Sequence, residues 1–133
     1  MTTYSPKEGY SNAQGAGLSF EGLASNDFTT IPVMVMASAR DWGNPDGSTH
    51  LRPYLALSYD STTGYYKQYF SDTTNLSTVV VLAQELRDMD SLSSGTAVAA
   101  VAFFKGTFKK SVIVETSAID WTKVQRIAIR DNV

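Results

Sequence analysis

Two apolar segments constrain this chain more than anything else in it. Ser77 to Ala83 reads Ser-Thr-Val-Val-Val-Leu-Ala, and Thr96 to Phe108 reads Thr-Ala-Val-Ala-Ala-Val-Ala-Phe-Phe-Lys-Gly-Thr-Phe. Between them, Gln84 to Gly95 carries three carboxylates and one glycine. The pattern implies two core strands joined by a solvated turn. A helix is the competing reading for the alanines of 97–102. However, Val98, Val101, Phe103 and Phe104 are β-branched or aromatic, and Gly106 would weaken a helix where it should propagate. The segment therefore reads as a strand. The small side chains of its Ala-rich half leave room above it for a second sheet or another subunit.

The 133 residues suit one domain with a real core, and 43% of them are hydrophobic. A net charge of -2 and a pI near 5.2 argue against a nucleic-acid binder, which usually carries a basic stripe. Lys105, Lys109 and Lys110 form a local basic cluster, read as a solvated strand end. The absence of cysteine excludes a disulfide framework and a thiolate metal site. His50 is the single histidine, so serine–histidine catalysis would depend on it alone. The apolar runs are short of membrane-spanning length, and Met1-Thr2-Thr3-Tyr4 lacks the features of a secretory signal. The expectation is a soluble protein made in a cytoplasm, with no membrane partner.

Met1 to about Asn26 is polar and glycine-rich, with no sustained period, and reads as an extended, flexible N-terminal arm ahead of a β-rich domain at 27–133. Its isolated apolar residues Leu18, Phe20 and Leu23 make addition of a strand to another protein's edge plausible, and they are the candidate contacts. Thr30 to Ala37 reads as a strand in which Pro32 belongs at a start or an edge. Ser38 to Pro53 is a long loop with the turn signal Asn44-Pro45-Asp46-Gly47. Tyr54 to Tyr59 and Tyr65 to Phe70 form a hairpin with Gly64 at a positive-φ position. Ser111 to Val114 resumes the apolar pattern. Asp120 to Ile127 is the one helical candidate, capped by Asp120, and Ile127-Ala128-Ile129 is alternatively the start of a terminal strand.

No constellation carries chemistry. Asp41, Asp46 and His50 match no zinc or calcium spacing. Gly15-Ala16-Gly17 has no preceding strand and no capped helix after it, so no phosphate cradle is expected. No catalytic residue, cofactor or metal is expected, and the chain does not read as an enzyme. The aromatics Trp42, Tyr54, Tyr59, Tyr65, Tyr66, Tyr69 and Phe70 are compatible with a carbohydrate-binding, lectin-like module or with a protein interface.

From Leu55 onward the chain resembles the small head decoration proteins of lambda-like bacteriophages. The matching features run in order: Leu57-Ser58-Tyr59-Asp60 with the turn to Gly64 and Tyr65; Leu76 to Ala83; and Val101-Ala102-Phe103-Phe104-Lys105-Gly106-Thr107-Phe108. The resemblance covers roughly the last 80 residues. It implies an all-β or predominantly β fold, a small barrel- or sandwich-like domain with one short helix near the C-terminus. It also implies a late structural virion protein that caps three-fold and quasi-three-fold sites outside an expanded capsid as a homotrimer. Its partners would be the major capsid protein and itself, and its place the outer surface of the phage head. The family's arm is ordered on the shell, and Met1 to Asn26 would be the equivalent. The family's Pro-Leu-Met-Leu-like entry corresponds either to Pro53 to Leu57 or to Pro32 to Val35, so this chain departs from the pattern around Ile31 to Pro53. Trp42, Tyr54, Tyr66, Phe104 and Phe108 are the candidate trimer or surface contacts.

Overall fold

The computed structural model describes residues 15–69, 76–115, 117–124 and 126–131. The expected arm residues 1–14, and Phe70 of the hairpin, lie outside the described residues.

The fold is a small, predominantly β domain built on strands that bury both faces. Val80–Leu82 (β5) lies antiparallel between Ala56–Asp60 (β3) and the long Ala97–Lys109 (β7). Val80 and Leu82 face one apolar cluster with Leu55, Leu57, Val98, Ala100 and Ala102. Val79, Val81 and Ala83 face a second, with Tyr54, Ala56, Phe103 and Phe108. An uninterrupted apolar run such as 79–83 is what a strand buried on both sides requires. It is read correctly from sequence because no polar residue breaks it.

Thr29–Met36 (β2) runs antiparallel along β7, from Thr29↔Lys105 to Met36↔Ala97. Pro32 falls opposite Val101, whose own carbonyl accepts from Ala83 and whose amide donates to the Gln84 side chain. The missing N–H of Pro32 therefore costs no bond to β7, although Pro32 lies inside a strand that meets both β7 and β4 rather than at the expected strand start or sheet edge. Tyr65–Gln68 (β4) completes the expected hairpin with β3, and Gly64 at φ 82° makes the turn. β2 also meets β4, in parallel, at the single pair Val35↔Tyr66. The six-stranded mixed sheet thus curls back on itself without the continuous ladder of a closed barrel.

The room beside the alanines is filled from within the chain. Ala100 and Ala102 are buried in the first cluster against the chain's own β2, β3 and β5 side chains, whereas Ala99 faces outward beside Met34. The linker after β5 is also less solvated than its carboxylates suggest. It forms Gln84–Leu86 (β6) and a 3-10 turn, Met89–Ser91, and Leu86 and Met89 are fully buried.

The expected helix at 120–127 is replaced by a single 3-10 turn, Trp121–Lys123, followed by Ile127–Arg130 (β8) in parallel register with Gly106–Lys109 of β7. Asp120 does cap, accepting from the Thr122 amide and hydroxyl, and the Thr122 hydroxyl holds its carboxyl below the ordinary range. Val124 is already extended, and Ile127 and Ile129 are β-branched residues that fit a pleated surface. Burying Ile127 in the second cluster favours the strand over further helical turns.

Candidate interaction surface

Residues 15–26, expected as part of a free arm, lie along the body of the domain. Gly15–Leu18 (β1) pairs antiparallel with β6, irregularly, between Gly15↔Leu86 and Leu18↔Gln84. Residues 19–24 then form a strap across the ends of β5 and β7. The Ser19 amide donates to Ala83 O at 2.8 Å, Ala24 to Thr107 O at 2.8 Å, and Lys109 back to Gly22 O at 2.9 Å. Backbone bonding of this kind needs no hydrophobic period, which is why a polar, glycine-rich stretch gave no sign of it.

Tyr54 sits at the centre of the strap. Its phenol oxygen accepts from the Gly22 amide at 2.8 Å and donates to Ser19 O at 2.9 Å, with Ser19 Oγ at 3.1 Å. Its ring stacks on Phe103 at 6.1 Å and meets Phe108 edge-on at 6.0 Å. Tyr54 adopts φ 71°, a left-handed conformation rarely held by a bulky side chain. The cost of such a conformation is about 1–3 kcal/mol, sustained only where surroundings enforce it. Gly22 is required by the contact. A Cβ there would lie 2.6 Å from Tyr54 Cζ and 2.6 Å from Val112 Cγ2.

Two of the three candidate contacts in the strap point outward. Leu18 is 42% exposed and Phe20 47%, while Leu23 turns inward to bridge Phe108. Phe20 packs 5.5 Å from Phe28, and both rings meet Phe103, at 6.2 and 5.7 Å. Phe20 and Phe28 thus form an exposed apolar pair just after β1, whose last residue is the exposed Leu18. Phe28 was not among the expected contacts. Its signal was an isolated phenylalanine just ahead of a strand, indistinguishable in sequence from a core residue.

The other candidates scatter. Tyr54 and Phe108 are core residues, because the aromatic cluster around Phe103 encloses them. Tyr66 is half-buried against Tyr59, ring centres 5.5 Å apart, and burial raises its phenol pKa. Phe104 is exposed, with the Arg126 guanidinium 4.1 Å over its ring. Arg126 in turn donates to Phe104 O, Ser77 O and Val79 O, tying β8 to the sheet. Among the described residues Trp42 is the most exposed large apolar one, at 60%.

Trp42 stands on a loop held from beneath. Asp41 is wholly buried and takes a bidentate pair from Arg52, at 2.8 and 2.9 Å, plus the Arg52 amide. The Asp41 contact raises the Arg52 pKa. Asn44 donates to His50 O, and His50 Nδ1 accepts from the Asp88 amide. Asp41 and His50 are thus each engaged in structural bonds, and the Asp46 amide donates to Asn44 Oδ1 at 2.9 Å. Among the described residues no cluster of three or more metal-ligating side chains occurs. Tyr54 and Tyr69 are buried and so are not available to stack on a sugar. A depression of about 350 Å³ between Met36–Ser38, Thr63, Tyr65, Gly95 and Thr96 carries no charged side chain.

Compared with protein-family models, curated proteins and solved structures, the chain finds no match. Among the described residues no helix is long and apolar enough to cross a membrane. The exposed pair after β1 therefore stands on its own geometry, an edge strand followed by aromatic side chains and no catalytic group among them.

Proposed function

We propose that this chain is a structural, non-enzymatic virion protein. In this reading it binds the outside of an expanded phage capsid as a homotrimer at three-fold and quasi-three-fold sites, and it stabilises the shell against the outward pressure of packaged DNA. The observation that carries the reading beyond the family resemblance is the edge at β1. Among the described residues β1 pairs with β6 alone, and it carries exposed Leu18 and is followed by the exposed pair Phe20 and Phe28. An extended segment of the major capsid protein could add there as a further strand, backbone bonds supplying affinity and the aromatic pair specificity. Linking three such edges in one trimer raises their effective concentration, so a modest single contact gives slow release. Binding only the expanded form stabilises that form by linkage.

The test is binding of the full chain and of a chain lacking 1–18 to expanded shells, with trimer mass measured separately. The reading expects shell binding to fall sharply on truncation while trimer mass is kept. Undiminished binding by the truncated protein would overturn it.

A further inference from the structure

We infer that Tyr54 is a positioning residue, a pin that holds the strap 19–24 down and thereby sets β1 on the edge of β6. The inference rests on the shell-binding reading for its functional consequence, but the pin itself is a property of the isolated chain.

Three observations converge on it. The phenol oxygen bonds the strap at its start, Ser19, and at its middle, Gly22, from a buried side chain. The Tyr54 backbone holds φ 71° while its amide donates to Leu82 O and its carbonyl accepts from Val114. The side chain is thus directed at the strap by bonds to the central sheet. Finally, β1 has little hold of its own. It is short, its register on β6 is irregular, and no atom of the rest of the chain lies within 4 Å of a Cβ built on Gly17. A strand of that kind does not stay placed by side-chain packing, so its position depends on the strap that follows it.

The consequence is preorganisation. With the pin engaged, β1 with Leu18 and the pair Phe20 and Phe28 are held in place, and a shell segment need not order them on arrival. Released, the strap would have to be ordered at the moment of binding, and affinity would drop.

Tyr54→Phe keeps the ring on Phe103 and Phe108 and removes only the hydroxyl. Hydrogen exchange then separates a pin from an ordinary buried bond. The Ser19 and Ala24 amides bond to Ala83 O and Thr107 O, not to Tyr54. Loss of the pin should speed exchange at both by about tenfold, the scale of one net hydrogen bond, while β5 and the central part of β7 stay protected. Binding to expanded shells should weaken by about the same factor. Unchanged exchange at Ser19 and Ala24 would overturn the inference, as would faster exchange with wild-type shell affinity. If the wild-type chain ignored shells while Tyr54→Phe still freed the strap, the pin would stand and the shell-binding reading alone would fail.

Discussion

At the scale of single residues, two buried polar groups hold loops in place, the Tyr54 phenol and the Asp41 carboxylate. The Asp41 carboxylate has no exposure, and its two side-chain bonds to Arg52 offset the cost of burying it. Arg52→Ala would leave that charge uncompensated and should destabilise the fold by about 3–5 kcal/mol in urea melts. Asp41→Asn on the Arg52→Ala background should recover part of the loss. Gly22→Ala places a methyl against the Tyr54 ring and should cost about 1–3 kcal/mol, with faster exchange confined to the strap. Tyr66 supplies a pH signature. Burial raises its phenol pKa above the unfolded value, partly opposed by the nearby Arg126 charge. The proton is held more tightly in the folded state, so stability is intact below about pH 10 and declines as pH rises through the folded value. Tyr66→Phe should flatten that alkaline decline in thermal melts. Neither point was legible in advance: Asp41 read as one acid in a loop, and Tyr54 as a surface aromatic, because a partner 35 residues away leaves no local pattern.

At the scale of elements, the legible parts were those whose burial is written as a run or an alternation. β5 and β7 show uninterrupted apolar stretches, and the β3–β4 hairpin announces itself by the Gly64 turn. Leu82→Ala in β5 should cost about 2–5 kcal/mol, as expected for a fully buried leucine between two ladders. The short elements were not legible. β6 is three residues long and carries Gln84 and Glu85, so its buried Leu86 looked like part of a solvated linker. The helix expected at 120–127 rested on a genuine cap and a short apolar stripe, but the parallel ladder with β7 and the burial of Ile127 outweigh one turn's worth of helical bonding. The strap was missed for a related reason. It is held by backbone bonds and one phenol rather than by apolar periodicity, so residues 15–24, expected in the arm, pair with the body. A truncation meant to remove only shell contacts should therefore stop at 18. Cutting through 26 would also strip Leu23 from Phe108 and expose the second apolar cluster.

At the scale of the whole molecule, a predominantly β body carries β1 as a short strand paired with β6. Leu18, Phe20, Phe28 and Trp42 are exposed apolar side chains on it, and the buried Asp41 carboxylate holds the Trp42 loop through Arg52. In the proposed trimer, exposed Trp42 is a second candidate contact with a neighbouring subunit, and a glycan array should give no signal that depends on Trp42 and Tyr66. The central claim concerns what the edge receives. Sedimenting the full chain with purified shells, expanded and unexpanded, tests it most directly. The account predicts saturable binding to expanded shells at three copies per three-fold or quasi-three-fold site and none to the unexpanded form. A chain that stays in the supernatant with both would contradict it.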